Sequence, residues 1–121
     1  MTILLVALAS ILLSVSAQFS LKAGMSSASV RTAMAGPMDA QTVMTVLLNP
    51  FVVGGLALYA LSAVVWLSVL AKMDVSKAYP MVGLGFALTA VIGFFAGEQL
   101  SPVRIAGVAL ICTGVALVAR S

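Results

Sequence analysis

The chain has 121 residues, of which 63% are hydrophobic and 7% are charged, and its formal net charge is +3. Soluble domains usually carry about 25% charged residues, so this composition excludes an ordinary soluble globular protein. It indicates an integral membrane protein. The six basic residues stand singly near the ends of apolar stretches. They form no basic cluster, and nucleic acid is therefore not an expected partner.

The residues that usually carry catalysis or bind metals are scarce. The chain has no histidine, and its one cysteine, Cys112, lies inside an apolar run. This composition offers neither a disulfide framework nor a metal cluster, and it contains no pair of carboxylates on one helix. We therefore predict a protein that binds and translocates a substrate, with no enzymatic activity, no metal and no cofactor.

Four apolar stretches are long enough to span a bilayer, which takes about 20 residues in a helix. They cover approximately residues 2–21, 51–71, 78–97 and 102–119. Very short links join the last three stretches, so neighbouring helices must be antiparallel. The sequence predicts one all-α transmembrane domain over residues 1–121. Pro50 precedes the second span, and Ser101 is the predicted N-cap of the fourth.

The link between the first and second spans is longer than the others. Gly36-Pro37 breaks the chain, and Asp39 is a candidate N-cap. The apolar residues that follow are too few to span a membrane. They predict a short helix lying in the membrane interface over about residues 39–48. The alternative is that this segment extends the second span with a kink at Pro50. The pattern does not choose between the two.

The first span carries a polar stripe that contains no acid. Ser10, Ser14, Gln18 and Lys22 follow one another at four-residue spacing, which places them on roughly one helix face. Lipid cannot satisfy such groups, so we predict that the stripe faces protein, water or a substrate head group. Because it ends in a cation, it favours an anionic or neutral polar ligand over a cationic drug.

Each member of the stripe also has a structural interpretation. Lys22 offers three donors to a phosphate, but span-end lysines also serve as snorkelling anchors. The serines are candidates for sugar binding, and equally for hydrogen bonds between helices or back to their own helix. Gln18 is the costliest to leave unpaired, so a binding role is favoured for it.

Three further residues are candidates for substrate binding. Arg31 offers a second cation for phosphate, or a loop charge near lipid phosphates. Glu98 suits a cationic sugar group or a coupling proton, although its leading interpretation is an acceptor for backbone N–H groups that begin the fourth span. Tyr79 is an interfacial anchor or a ligand. On the second span, Tyr59 and Trp66 either line the cavity or face lipid.

Two patterns bear on assembly. Gly107 and Gly114 lie seven residues apart on one face of the fourth span, and small residues allow close helix packing. Four helices of this length enclose little space, so a transport path is expected to need a dimer. Three basic residues fall at each end of the bundle, so the positive-inside rule gives no orientation. An antiparallel homodimer and a heterodimer with a similar subunit both stay open.

Several segments resemble a known family. Residues 7–24, ALASILLSVSAQFSLKAG, resemble the first helix of the drug/metabolite transporter superfamily. Within it, they are most similar to the small subunits of the aminoarabinose-phosphoundecaprenol flippase. Three further segments are also similar to segments of those subunits: Ala78-Tyr79-Pro80-Met81, Gly97-Glu98 with Ser101-Pro102, and residues 107–115. The resemblance covers about three of the four spans, and it implies dimer contact through the glycines of the fourth.

The resemblance implies a flippase subunit in the inner membrane. Its substrate would be an undecaprenyl-phosphate-linked monosaccharide used in lipopolysaccharide or envelope glycan modification. Related small multidrug resistance proteins carry a glutamate in helix 1 and a tryptophan in helix 3, where this chain has Ser14 and Val82. That difference argues against proton-coupled cation efflux. A proton-coupled small-solute or multidrug exporter and a non-transporting assembly subunit are the two alternatives.

Overall fold

The computed structural model describes residues 2–121. Within this range the regular structure is entirely helical. Four helical stretches are long and apolar enough to cross a membrane: Thr2–Met25, Pro50–Leu70, Val75–Phe95 and Pro102–Arg120. The prediction of an all-α membrane protein with four spans is therefore confirmed.

The spans and the longer link contain seven α-helices. In chain order they are α1 (Thr2–Met25), α2 (Ala28–Ala35), α3 (Ala40–Leu48), α4 (Pro50–Leu70), α5 (Val75–Ala78), α6 (Gly83–Phe95) and α7 (Pro102–Arg120). A 3₁₀ helix, Tyr79–Val82, joins α5 to α6 and completes the third span. It contains Pro80, which has no backbone N–H to donate to the preceding turn, and this explains the local tightening of the helix.

The helix ends differ from the predicted bounds by a few residues. α1 continues past residue 21 to Met25, with Lys22 in its last turn, where a cation complements the helix dipole. The third span begins at Val75, three residues earlier than predicted, directly after Asp74 at the N-cap position. Its helix ends at Phe95 because Gly97 takes a positive φ of 97°, a conformation that glycine adopts readily.

The structure decides how the long link meets the second span. α3 is a separate helix, because Asn49 between α3 and α4 has an extended backbone with ψ of 128°. The Asn49 side chain then caps α4 by accepting hydrogen bonds from the N–H groups of Phe51 and Val52. Asp39 caps α3 by accepting the Thr42 N–H at 3.0 Å, as predicted. The sequence analysis did not predict α2.

The four spans pack in the antiparallel order that short links require. α1 packs along α4, α6 packs on α1, and α7 packs on α6. Glycines mark the close approaches, since Gly85 lies against Ile11 and Val15 of α1 and Gly83 lies against Ile111 of α7. The main buried cluster contains Ala7, Ile11, Val15, Val69, Ala78, Met81 and Val115.

The two ends of the bundle carry equal numbers of basic residues. The first end holds the start of α1, the end of α4 and the start of the third span, with Lys72, Lys77 and Arg120. The second end holds the end of α1, the link helices and the start of α7, with Lys22, Arg31 and Arg104. The observed topology therefore retains the charge balance, which leaves the orientation undetermined by the positive-inside rule.

Candidate functional site

An open cleft of about 290 Å³ lies between α1, α4 and the third span. Its polar lining residues are Ser10, Ser14 and Gln18 of α1, Ser62, Tyr59 and Trp66 of α4, Tyr79 of the 3₁₀ helix and Thr89 of α6. Within the described residues, no acidic or basic side chain lines it. The cleft is thus uncharged and mostly apolar, with polar groups set into its wall, and it lies in the membrane-spanning part of the molecule.

Ser10 forms a reciprocal pair with Ser62 across the α1–α4 interface. The Ser10 hydroxyl donates to the backbone carbonyl of Ser62 at 2.8 Å, and the Ser62 hydroxyl donates to the carbonyl of Ser10 at 2.9 Å. Both side chains are buried. The Ser10 hydroxyl therefore joins two helices, although the residue also forms part of the cleft wall.

The next two members of the stripe are engaged as well. The Ser14 hydroxyl donates to the carbonyl of Ile11 in its own helix at 2.9 Å. The Gln18 side-chain amide donates to the Tyr59 hydroxyl, and both of these side chains are exposed. The structure therefore brings Ser10, Ser14 and Gln18 to the cleft, where both serine hydroxyls donate to protein carbonyls and one of the two side-chain N–H groups of Gln18 donates to Tyr59.

Lys22 does not line the cleft. It is exposed in the last turn of α1, one turn beyond Gln18. Each four-residue step carries a side chain about 40° past a full turn, so three steps rotate Lys22 by about 120° from Ser10. The stripe consequently winds around α1, and the structure places its cation at the second end of the bundle, outside the cleft.

Arg31 and Glu98 also lie at the second end, outside the cleft. Arg31 is exposed on α2, and Glu98 is exposed in the turn after α6. The backbone N–H of Glu98 donates to the Gly93 carbonyl at 2.9 Å, and its carboxylate lies against Gly93. The start of α7 is capped by Ser101, which accepts the Arg104 N–H at 3.1 Å. Ser101 therefore fills the capping role that the sequence analysis favoured for Glu98.

Sequence reasoning missed two polar residues of the cleft and left two aromatic residues undecided. Ser62 and Thr89 were not singled out, although a small polar residue inside an apolar span is a recognised signal of a protein-facing position. Tyr59 and Trp66 were left between cavity and lipid, and the structure places both at the cleft. Tyr79, a predicted candidate, also lines it, with 67% of its surface exposed.

The two candidate interface glycines lie on an open surface of α7. A side chain added to Gly107 or Gly114 would meet no atom of the described residues within 4 Å. In contrast, a side chain on Gly83 would collide with Ile111. Gly83 thus serves packing inside the subunit, whereas Gly107 and Gly114 leave their face of α7 uncovered by the described residues.

The fold and the cleft together define a multi-pass membrane protein with an uncharged cleft at membrane depth. The chain is 44% identical over 61 residues to the probable 4-amino-4-deoxy-L-arabinose-phosphoundecaprenol flippase subunit ArnE of Pseudomonas savastanoi, which covers 50% of this chain and 54% of that protein. It is 35% identical over 68 residues to the probable flippase subunit ArnF of Sodalis glossinidius, covering 54% and 52%. The resemblance predicted from the sequence is therefore confirmed.

A third relative carries no functional name. The uncharacterized protein y4nH of Sinorhizobium fredii is 35% identical over 75 residues, which covers 60% of this chain and 64% of that protein. The chain spans about half the length of the flippase subunits it matches. No protein-family model and no solved structure matches it.

Proposed function

We propose that this chain is a subunit of a dimeric transporter that moves a polyprenyl-phosphate-linked monosaccharide across the inner membrane. The observation that carries the proposal is its similarity to probable flippase subunits of two bacterial genera. Such a role fits a protein of four apolar helices with an uncharged cleft among them. The transported glycan would serve modification of lipopolysaccharide or of another envelope polymer.

The cleft suits the head group of such a lipid better than a cationic drug. A cation inside the membrane needs a nearby counter-charge, and the cleft residues that the structure describes include no carboxylate. A sugar needs hydrogen-bonding groups, which α1, α4 and the third span supply. The opening lets the long apolar tail stay in lipid while the head group passes. The proposed mechanism is alternating access by rocking of two subunits around the site.

The phosphate would be held at the second end of the bundle. Lys22 lies one turn beyond Gln18 and is exposed, so its ammonium group is free to meet an anion at the membrane interface. Arg31 lies in the link that follows α1 and would add a second cation. Glu98 lies at the same end, outside the cleft, and is assigned no contact with the sugar ring. Gln18 and Tyr79 would contact the head group inside the cleft.

The dimer would form through α7. Gly107 and Gly114 lie on its open surface, and small residues are typical of close contacts between membrane helices. With three basic residues at each end of the bundle, two copies inserted in opposite directions would form an antiparallel homodimer. A heterodimer with a similar four-helix subunit would use the same surface.

Reconstitution into vesicles tests the proposal directly. Labelled undecaprenyl-phosphate arabinose should exchange between leaflets when the chain is present, alone or with a co-expressed four-helix partner. Lys22→Ala should weaken lipid binding, whereas Lys72→Ala at the opposite end is the matched control. Absence of exchange in both preparations would refute transport. Proton-driven uptake of a soluble solute would instead indicate an exporter, and assembly without transport would indicate a structural subunit.

A further inference from the structure

The wall of the cleft opposite the α1 stripe carries donors that the protein itself does not use. Among the hydrogen bonds of residues 2–121, none involves the indole N–H of Trp66, the hydroxyl of Thr89 or the hydroxyl of Tyr79. Ser10, Ser14 and Gln18, in contrast, all donate to protein groups. Apart from the second side-chain N–H of Gln18, the free donors of the cleft therefore lie on α4 and the third span.

These donors are accessible. Over residues 2–121, no buried side-chain nitrogen or oxygen lacks a hydrogen-bond partner. Trp66 and Thr89 are half-buried, so their unpaired polar atoms must lie at a surface that a small molecule can reach. Tyr79 is mostly exposed. All three residues line the same cleft.

An unpaired donor at membrane depth is costly, since lipid tails offer no acceptor. A ligand that brings its own acceptors would remove this cost. The cleft also offers the aromatic rings of Trp66, Tyr79 and Phe86, whose faces suit the C–H groups of a sugar ring. No charged group of the described chain lines the cleft, so the complementary ligand is a hydroxyl-bearing, uncharged ring.

We infer that Trp66, Thr89 and Tyr79 recognise the sugar ring of the substrate, and that the α1 stripe mainly builds the helix pair behind it. This inference rests on the proposed function and assigns the specificity of its site. It assigns sugar recognition to residues of α4 and the third span instead of to the serines of α1. Trp66 and Tyr79 lie toward the first end of the bundle and Lys22 lies at the second, so the head group would reach these residues in succession as it moves along the cleft. Sugar recognition and phosphate binding therefore use different residues.

The test compares two lipids in detergent or nanodiscs, with variants that remove one hydrogen-bond donor each. Binding of undecaprenyl-phosphate arabinose and of bare undecaprenyl phosphate is measured for the wild type, Trp66→Phe and Thr89→Val. Each substitution should weaken binding of the sugar lipid by a factor of about 3 to 10, the worth of one hydrogen bond, and leave the bare lipid unchanged. Thr89→Ser, which keeps the hydroxyl, should retain binding.

The control variant is Thr113→Val on α7. The Thr113 hydroxyl already donates to the carbonyl of Ala109, and the residue lies outside the cleft, so neither lipid should bind differently. An equal loss of both lipids in the Trp66 and Thr89 variants, or no loss at all, overturns the inference. If the wild-type protein binds the sugar lipid no better than the bare lipid, the proposed function itself fails.

The charge of the sugar ring provides a second test of the inference. The 4-amino form of the sugar lipid carries a protonated amine at neutral pH, and the described cleft residues offer it no carboxylate. We therefore expect the neutral arabinose lipid to bind at least as tightly as the amino form. A preference for the amino form by a factor of about 10 or more would correspond to an ion pair and would overturn recognition of an uncharged ring.

Discussion

The α1–α4 pair and α7 are equally apolar helices that the subunit uses in opposite ways. α1 and α4 are joined along their length by the Ser10–Ser62 pair, the contact of Gln18 with Tyr59, and the bond from the Ser20 hydroxyl to the Phe51 carbonyl at 2.7 Å. On α7, Val115 is the one buried residue. Polar side chains thus join α1 to α4, whereas the side-chain hydrogen bonds of α7 stay within that helix and the turn before it.

The glycines show the same division. Gly24 and Gly55 lie where α1 and α4 approach most closely, and an added side chain would collide with the neighbouring helix at either position. Gly107 and Gly114 face open space. Substitution of a glycine is therefore expected to lower the stability of the subunit in the α1–α4 pair and to affect assembly on α7.

The largest effect is expected for Gly24→Ala. The new Cβ would lie 2.6 Å from Cγ2 of Val52 and 2.9 Å from its backbone nitrogen, and the backbone cannot move aside cheaply. We expect a loss of about 1–3 kcal/mol in the free energy of unfolding, the usual cost of overpacking. Reversible unfolding in mixed detergent micelles measures it. Gly107→Ala is the matched control and should leave subunit stability unchanged; equal losses would contradict the division between the two regions.

A second prediction concerns the open surface of α7. Gly107→Leu and Gly114→Leu should weaken self-association, or association with a partner subunit, by about tenfold or more, which corresponds to about 1.4 kcal/mol. Energy transfer between labelled subunits in vesicles measures the effect. The helical content should stay constant because a Cβ at either position meets no atom of the described residues within 4 Å. Full assembly of both variants would exclude α7 as the interface.

The sequence predicted the four spans because apolar length is a direct consequence of bilayer thickness. Caps were predicted where the side chain acts on its own helix, as with Asp39 and Ser101. α2 was missed because its small and polar residues, such as Ser29 and Thr32, give no apolar face that would indicate a helix. Helix ends depend on local hydrogen bonds, and they shifted by a few residues at α1 and at the third span.

Most of the cleft residues that the sequence analysis predicted lie on α1, and Tyr79 is the one predicted candidate from another span. The α1 stripe was visible because its four-residue period is local to one helix, and three of its members do reach the cleft. Lys22 left that face because the helix rotates with each step. Ser62 and Thr89 could not be assigned, since their placement depends on how α4 and α6 pack against α1, which no local pattern records.

A smaller effect is expected for the Ser10–Ser62 pair. Ser10→Ala and Ser62→Ala should each destabilise the subunit, and a double-mutant cycle should give a coupling of about 0.6 kcal/mol, the average for hydrogen bonds between membrane helices. Unfolding in mixed micelles measures all four proteins. Ser68→Ala is the control, because its hydroxyl bonds to the Val65 carbonyl of its own helix. A coupling energy of zero would show that the Ser10–Ser62 hydrogen bonds do not stabilise the contact between α1 and α4.

The smallest effect concerns pH and lies in the link outside the α1–α4 pair. Hydrogen bonds from the backbone N–H and then the hydroxyl of Thr42 lower the pKa of Asp39 below its ordinary value of 3.8. A lowered pKa means that the carboxylate stabilises the start of α3 above pH 3.8, and that this contribution disappears as the pH falls through the folded-state pKa. Hydrogen exchange of the Thr42 amide should therefore accelerate as the pH falls through the folded-state pKa of Asp39, relative to the intrinsic exchange rate, while amides of α1 and α4 keep their protection.

Asp39→Asn is the control for this prediction. Asparagine can still cap the helix but does not titrate, so the substitution should abolish the pH dependence. A simultaneous loss of protection in α1 and α4 would show that the link and the helix pair unfold together, and that the pair is not an independent unit.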